Sequence, residues 1–293
     1  MWGLTWAYAR QMPTSAYLRH LGLDQALPPT LDALRLLQRR HLARVPYENL
    51  GIMLGQTPSV DPESSLLRVG DLGRAGYCFH QNAVLELVLR HLGFEVSRRH
   101  GHVWTREEHR RDPSLNHLVL VVSGLPTADN PAGLWWPDVG LGEGFWEPLP
   151  LVVGEYSDGP FTFEITEVRP DGWSFLNDPN GSFTGLEVTD RPTDPMTVLA
   201  AHASLSTPPD GRFTGLLVVQ RRDEAGLDTV RGCVSLRIDA AGRHEVDLTT
   251  YDAWRAALVD IGVNLHGFAE ADLRALFERS STAHESWVLA GRP

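Results

Sequence analysis

Residues 74–93, which read RAGYCFHQNAVLELVLRHLG, contain the point at which the chain changes from a helical to a strand pattern. A glycine turn precedes a predicted helix from about Gln81 to His91, and Gly93 supplies its stop signal. The apolar stripe of this helix has helical spacing and consists of Val84, Leu85, Val88, Leu89 and Leu92. The stretch therefore separates a helical first part of the chain from a region of strands.

The region before this stretch predicts two further helices. Pro13-Thr14-Ser15 opens a short helix that Gly22 closes, and Thr30 is an N-cap for a longer one with Pro46 beyond its end. The leucines of the longer helix lie near helical spacing at Leu31, Leu34, Leu37 and Leu42. We therefore expect a helical N-terminal part.

The region after the stretch predicts a sheet. Apolar runs at 118–122 and 134–136 are bounded by Gly, Pro and Asn clusters. Residues 161–168 alternate between apolar and polar, and another strand follows at 173–176. Strands at this spacing predict a barrel or a sandwich.

The last part of the chain predicts a small α/β unit. Residues 193–210 are rich in Pro, Ser and Thr and indicate a connection. Strands follow near Leu216–Gln220 and Val230–Ile238, and helices near Tyr251–Val259 and Ala269–Arg279. The predicted fold class is α+β, in the order helices, sheet and α/β unit.

Composition restricts the class of protein and its partners. Of the 293 residues 42% are hydrophobic, which is sufficient for a buried core. Acidic residues outnumber basic ones 37 to 26, so a nucleic-acid partner is disfavoured. Two cysteines cannot form a disulfide framework, the N-terminus lacks a signal pattern, and the apolar runs are too short for a membrane span. We expect a soluble, cytoplasmic protein without a membrane partner.

Cys78 is the first candidate for chemistry, because it lies just before the predicted helix. A thiol at a helix N-terminus faces unpaired N–H groups and the positive end of the helix dipole, and both stabilise a thiolate. The alternative is a buried structural cysteine, an interpretation that we keep for Cys233 inside a strand-like run.

His117 and Asp138 are the candidate partners of this thiol. Each borders an apolar run, and a hairpin with a loop at about 123–133 would place both side chains on one face of the sheet. The carboxylate would then orient the imidazole, whose other nitrogen would face the thiol. The chain order Cys, His, Asp is compatible with a cysteine-dependent acyltransferase or hydrolase.

Three other clusters have weaker chemical interpretations. His100 and His102 share a strand face and with His109 could ligate a metal, but no carboxylate stands at a familiar spacing, so we expect no metal site. Residues 140–144 resemble a phosphate loop without the strand–turn–helix context, so we expect a turn. A third cluster is basic and comprises Arg98, Arg99, Arg106, Arg110 and Arg111. We expect these side chains to be solvated or to contact an anionic ligand.

Several segments resemble the arylamine N-acetyltransferase family. Residues 74–82, RAGYCFHQN, are similar to its Arg-Gly-Gly-Tyr-Cys-Phe-Glu-x-Asn signature, and residues 41–50, HLARVPYENL, to its His-x-x-x-Ile-Pro-Phe-Glu-Asn-Leu helix end. Shorter similarities lie at Asn116-His117, Pro137–Gly140 and Ser204–Pro208 with Phe213.

The resemblance implies an architecture and an activity. The architecture is a helical bundle (1–98), an antiparallel β-barrel (99–192), an interdomain linker or helix (193–209) and an α/β lid (210–293). The activity is ping-pong transfer of an acetyl or other acyl group from a CoA thioester to an arylamine, hydrazine or related amine. Acetyl-CoA is then a substrate, with no permanently bound cofactor.

The resemblance also implies roles for individual residues. Cys78 is the nucleophile, His117 the base and Asp138 its orienting carboxylate, at the junction of the domains. Backbone N–H groups, including that of Cys78, hold the oxyanion. The acceptor pocket is lined by Tyr47, Val103, Leu141 and Phe213.

Four residues depart from the family pattern. Ala75 replaces a glycine, and His80, a neutral or cationic ring, replaces a glutamate. Leu141 and Glu143 replace Phe and Gly, and Glu143 introduces a negative charge where anionic CoA passes. These departures motivate an alternative, an amide-forming acyltransferase of natural-product biosynthesis that uses an acyl carrier protein or a larger CoA ester.

Two further alternatives come from other classes of protein. A cysteine hydrolase or transglutaminase-like enzyme uses the same residue order and predicts amide cleavage without a thioester. A binding module with an inactive triad predicts a thiol at residue 78 that is no more reactive than Cys233.

Overall fold

A computed structural model describes residues 14–23, 27–209 and 211–292. Pro13 and the N-terminal segment examined for a signal pattern lie outside these ranges. The helices are α1 (residues 14–20), α2 (Leu31–Arg44), α3 (Leu50–Met53), α4 (Pro62–Leu72), α5 (Cys78–His91), α6 (Pro195–Ser206), α7 (Tyr251–Asp260) and α8 (Glu270–Leu289), with a 3₁₀ turn at Glu107–His109.

The helical N-terminal part is confirmed, with two helices more than predicted, the short α3 and α4. The Thr30 side chain accepts a hydrogen bond from the Ala33 N–H at the start of α2, as the pattern indicates. The additional helix α4 begins at a capping Asp61 and ends at Gly73 with a φ of 66°. Its buried residues join the apolar faces of α2 and α5 in one core.

Helix α5 begins at Cys78, earlier than the sequence indicates. The residue before it, Tyr77, has an extended backbone and makes no side-chain capping bond. The sequence therefore lacks the Ser, Thr, Asp or Asn signal that marks most helix starts. Cys78 occupies the first helical turn instead of preceding it.

The strands form two antiparallel sheets. Their bounds are β1 (Tyr47–Glu48), β2 (Glu95–Trp104), β3 (His117–Ser123), β4 (Trp135–Trp136), β5 (Leu149–Pro150), β6 (Gly154–Asp158), β7 (Phe161–Arg169), β8 (Gly172–Leu176), β9 (Gly185–Thr189), β10 (Val218–Arg222), β11 (Gly226–Arg231), β12 (Val234–Asp239) and β13 (Gly242–Asp247). The larger sheet contains β2 to β9, and the smaller, which we call the lid sheet, contains β1 and β10 to β13.

The larger sheet is a nearly closed barrel, so the sandwich alternative is wrong. Its strand order is β5-β4-β3-β2-β9-β8-β7-β6, and the two edge strands, β5 and β6, are not paired with each other. Aromatic rings fill part of its core, and Trp136 contacts Phe145, Trp173 and Phe175 edge to face.

The predicted hairpin of β3 and β4 is present. The two strands are antiparallel with Val122 opposite Trp135, so residues 124–134 form the connecting loop. The hairpin brings His117, at the start of β3, close to the residues that follow β4. This pairing positions part of the site described below.

The lid sheet includes a strand from the N-terminal part of the chain. Tyr47 of β1 lies opposite Gln220 of β10, although residues 41–50 indicate only a helix end. Asn49 reinforces this connection, since its side chain donates to the carbonyl groups of Phe213 and Leu216 and accepts from the Val218 N–H. The helical part and the lid sheet are therefore directly connected.

The structure corrects one detail of the C-terminal part and specifies another. The predicted strand at Val230–Ile238 is a hairpin of β11 and β12, and Cys233 lies in its turn, beside Gly232 with a φ of 57°. The Pro/Ser/Thr-rich connection contains α6, which Asp194 caps and Pro195 begins. Composition indicated only a connection and the resemblance a linker or a helix, and the structure has a helix.

Alternation along the lid sheet gives it two different faces. One face, with Val219 and Val230, packs against Trp254 and Leu258 of α7 in a separate core. The alternate residues of the other face border a large cavity. Within the ranges that the structure describes, no helix has the length and apolar character needed to cross a membrane.

Candidate active site

A cavity of about 1290 Å³ lies between the helical part, the barrel and the lid sheet. Cys78 and His117 border it on one side, and Thr229 and Leu236 of the lid sheet on the other. Strands β10, β11 and β12 contribute alternate residues to this wall, because successive side chains of a strand point to opposite faces.

Cys78 is held at the cavity wall by close backbone packing. Its Sγ lies 3.5 Å from the carbonyl oxygen of Asn116, the residue before β3. A Cβ on Gly140 would lie 2.9 Å from the Cys78 Cα, so only glycine fits against the start of α5 there. At this helix position the thiol faces the positive end of the helix dipole.

The predicted contact between His117 and Asp138 is present. His117 Nε2 donates to Asp138 Oδ2 at 2.7 Å, and both side chains are buried. A carboxylate only accepts hydrogen bonds, which assigns the proton to Nε2 and leaves Nδ1 for the side of Cys78.

Burial alone would lower the pKa of His117. The charge of Asp138 and its hydrogen bond, together with a hydrogen bond to Cys78, outweigh burial and raise the pKa of His117 to about 10. The imidazole is therefore protonated at neutral pH. A cationic ring beside the sulfur stabilises a thiolate.

Asp138 is surrounded by donors besides His117. Its Oδ1 accepts from the N–H groups of Gly140 and Leu141 and from Asn82 Nδ2, and its Oδ2 also accepts from Trp136 Nε1. These bonds satisfy a charge that would otherwise be costly to bury.

Two amide side chains that the sequence did not single out, those of Gln38 and Asn82, support the site. Gln38 of α2 accepts from the Asp138 N–H at 3.0 Å and donates to the Phe145 carbonyl at 3.0 Å. Asn82 accepts from the Val139 N–H at 3.0 Å and donates to the Leu118 carbonyl at 2.7 Å. The sequence contained one signal for these two residues, because each is a polar residue on the predominantly apolar buried face of a helix.

The four residues expected to line the acceptor pocket all border the cavity that contains Cys78. They are Tyr47, Val103, Leu141 and Phe213. The cavity wall also includes Phe183, Leu227 and Ile238, which the sequence did not single out. Leu227 and Ile238 could have been identified from the alternation of side chains along two neighbouring strands.

Glu143 also borders the cavity, but its carboxylate is engaged with the wall. It accepts from the Ser182 N–H, from Asn177 Nδ2 at 2.9 Å and from Gln220 Nε2 at 3.1 Å. Burial raises the pKa of Glu143, and these donors oppose that shift. Glu143 thus connects three chain segments, in contrast to the free charge that the sequence suggested.

His80 is a neutral ring. Burial lowers the pKa of His80 to about 3, so the cationic alternative is excluded at neutral pH. Its Nε2 donates to the Pro58 carbonyl at 3.2 Å. The ring lies in a cluster with Tyr77 and His202.

Several of the histidines and arginines outside the site have structural partners. His102 Nδ1 lies 2.9 Å from the Ser114 carbonyl oxygen, and no group of three or more His, Cys, Asp and Glu in the described parts of the chain is placed to hold a metal ion. Arg98 pairs with Glu86, and Arg110 with Glu187, so these arginines are not simply solvated. Residues 140–144 form bends and not a helix start, as expected.

A family model described as N-acetyltransferase matches residues 30–266 of the chain. An arylamine N-acetyltransferase from Mycolicibacterium smegmatis is 28% identical over 270 residues, which cover 90% of this chain and 96% of that protein. The chain belongs to the arylamine N-acetyltransferase family. A relative from Mycobacterium bovis is 30% identical over 72% of this chain and 75% of its own length.

Solved structures of the family share the fold. The Mycobacterium smegmatis arylamine N-acetyltransferase structure has a TM-score of 0.79 at 26% identity and covers 91% of this chain and 97% of that one. The Mycobacterium marinum enzyme in complex with CoA has a TM-score of 0.78 at 24% identity, over 92% and 98% of the two chains. The family resemblance is confirmed.

Membership in the arylamine N-acetyltransferase family decides between the classes of function. The relatives named above are acetyltransferases, and the protein is accordingly an acyltransferase. The cysteine hydrolase and the binding module receive no support from these comparisons.

We predict that Glu143→Ala destabilises the folded protein by about 3 kcal/mol, because it leaves the buried side-chain donors of Asn177 and Gln220, and the N–H of Ser182, without this acceptor. Glu143→Gln retains an acceptor oxygen, and its expected cost is only about 1 kcal/mol. Urea denaturation measures both free energies of unfolding. Exposed Glu224→Ala is the control, and equal stability of all three variants would contradict the bridging role of Glu143.

Proposed function

We propose that the protein transfers an acetyl group from acetyl-CoA, through a thioester on Cys78, to the nitrogen of an arylamine or hydrazine. The observation that carries the proposal is the position of Cys78 at the start of α5, on a cavity wall shared with a His117 ring that donates to Asp138. CoA is the ligand bound by the Mycobacterium marinum relative, which supports it as the donor here.

In the first half-reaction the Cys78 thiolate attacks the thioester carbonyl of acetyl-CoA. The new Sγ–C bond produces a tetrahedral oxyanion, for which the N–H of Cys78 at the start of α5 is a donor. Collapse of this intermediate breaks the C–S bond to CoA. The imidazolium of His117 gives its proton to the departing thiolate, leaving an acetyl-thioester and a neutral ring.

In the second half-reaction an amine attacks the acetyl-thioester. The neutral His117 ring accepts a proton from the attacking nitrogen, and Cys78 leaves as a thiolate beside the restored imidazolium. An arylamine suits this step because it is unprotonated at neutral pH, whereas an alkyl amine with a pKa of about 10.4 is mostly protonated. Tyr47, Leu141 and Phe213 offer apolar surface for its ring.

The cavity wall also contains groups that suit the phosphates of CoA. Arg231 of β11 and Arg279 of α8 border the cavity. Guanidinium groups bind phosphate by charge-assisted, bidentate hydrogen bonds. The wall thus offers cationic groups for CoA in addition to the apolar surface for the acceptor ring.

A second candidate is an amide-forming acyltransferase that uses a larger acyl thioester, on CoA or on an acyl carrier protein. The cavity of about 1290 Å³ is larger than the roughly 300–1,000 Å³ of most ligand sites, which favours this candidate. Leu141 and the apolar residues Leu227 and Ile238 of the wall suit a longer chain. A cytoplasmic location, indicated by two free cysteines, remains a prediction for both candidates.

Intact-mass spectrometry tests the nucleophile and the donor together. Wild type mixed with acetyl-CoA in the absence of an amine is expected to gain one acetyl group, and Cys78→Ala none. Cys233→Ala is the matched control and should be acetylated like wild type, because burial raises the pKa of the Cys233 thiol to about 11. Acetylation of Cys78→Ala would exclude the proposed nucleophile.

A panel of acyl-CoA esters separates the two candidates. We expect turnover of an aromatic hydrazine with acetyl-CoA to exceed turnover with octanoyl-CoA by at least about tenfold if the acetyl donor is the natural one. The reverse order, or turnover only with long esters, would favour the second candidate. Free CoA release, measured with a thiol reagent, reports each donor.

The pH dependence of Cys78 acetylation tests the role of Asp138. Because the pKa of His117 is raised to about 10, the rate is expected to persist through pH 9 and to fall as pH rises through about 10, where the imidazolium loses its proton. Asp138→Asn removes the charge that opposes burial, so the alkaline limb should move to lower pH and the rate should fall about 10²-fold or more. Exposed Asp252→Asn is the control, and an unmoved limb in Asp138→Asn would contradict the assignment.

A further inference from the structure

The side chain of Tyr77, the residue before Cys78, is tied to helix α6. Its hydroxyl lies 2.7 Å from Nδ1 of His202, and the two rings stack with centroids 5.7 Å apart and an interplanar angle of 21°. Tyr77 is fully buried and His202 almost so. This bond joins residues that are 125 positions apart in the chain.

The direction of this hydrogen bond follows from a second contact of His202. Burial lowers the pKa of His202 and a hydrogen bond to the Pro58 carbonyl opposes that shift, so the ring is neutral at physiological pH. Because a carbonyl only accepts, the ring proton lies on Nε2, towards Pro58, and the Tyr77 hydroxyl donates to Nδ1. The adjacent His80 also carries its proton on Nε2, since that atom donates to the Pro58 carbonyl.

Tyr77 controls the start of α5 through its backbone. Its carbonyl accepts from the N–H groups of His80 and Gln81 at 2.9 and 3.1 Å, and its φ and ψ of −97° and −167° direct the chain into the first helical turn. A rotation of Tyr77 would therefore move both the sulfur and the N–H of Cys78.

Tyr77 also supports the cavity wall. Its ring packs against Phe213 with centroids 4.5 Å apart, and Phe213 borders the cavity. The Phe213 N–H donates to the Leu205 carbonyl of α6 at 3.0 Å. Helix α6 thus contacts both the residue before the thiol and an aromatic residue of the cavity wall.

We infer that His202 is a positioning residue, which holds Tyr77 through its hydroxyl and so orients Cys78 and Phe213 for acyl transfer. This inference rests on the proposed role of Cys78 as the nucleophile. It assigns a function to α6, a segment that otherwise only connects the barrel to the lid sheet.

Four variants test the inference. His202→Phe keeps a ring against Tyr77 but has no acceptor, and Tyr77→Phe removes the donor. Each is expected to lower the rate of Cys78 acetylation about tenfold, because a small misplacement of a reacting group is costly. The double variant should be no slower than either single variant, and His202→Asn, whose Oδ1 replaces Nδ1 as acceptor, should recover to within about threefold of wild type.

Alkylation by iodoacetamide at pH 6.5 is the second measurement, because it reports on Cys78 without an acyl donor. The ratio of Cys78 to Cys233 labelling should fall in His202→Phe and recover in His202→Asn. Val198→Ala is the control for lost packing, since Val198 is buried on the same helix and in the same apolar cluster but lies outside the hydrogen bond. Its labelling ratio should stay within about twofold of wild type.

The outcomes separate this inference from the proposed function. Wild-type rates of both acetylation and alkylation in His202→Phe, or an equal loss in Val198→Ala, would overturn the positioning role. If wild type itself takes no acetyl group, the proposed function fails, whereas a lower labelling ratio in His202→Phe would still support the positioning of the thiol.

Discussion

The carboxylate of Asp138 is the feature on which the rest of the site depends. A buried charge without partners would destabilise the fold by several kcal/mol, yet this one accepts hydrogen bonds from two backbone N–H groups and three side chains. Its donors come from α5, β3, β4 and the loop after β4. Satisfying one charge therefore fixes the relative positions of the elements that carry the thiol and the imidazole.

Helix α5 and the loop after β4 constrain each other through contact between their backbones. Gly140 approaches the Cys78 Cα so closely that no side chain fits. Asn82, one turn further along α5, accepts from the Val139 N–H and donates to the Asp138 carboxylate. The hydrogen bonds of Asn82 determine how the loop after β4 is aligned along α5, and the absence of a Cβ on Gly140 permits the short distance between the two backbones. Electrostatics at the helix start then act on a thiol whose position is already determined.

The elements that the sequence predicted best are those set by local patterns. The apolar periodicity of α5 and the hairpin of β3 and β4 were both predictable, and with them the meeting of His117 and Asp138. The pairing of Tyr47 with Gln220 and the bond between Tyr77 and His202 depend on residues more than a hundred positions apart, for which no local signal exists. The same holds for Glu143. The sequence showed its negative charge, but it could not show the three hydrogen-bond donors, which lie on distant segments of the chain.

The lid sheet extends this argument from the thiol to the substrates. Its faces differ because alternate residues meet either α7 or the cavity, so the core that stabilises the sheet also determines which side chains a ligand meets. Asn49 and β1 attach that sheet to the helical part close to Cys78, and Glu143 attaches it to the loop after β4. A cavity assembled from three parts of the chain keeps a constant shape only if these junctions hold. The polar groups at the junctions therefore hold in place the apolar residues that line the cavity.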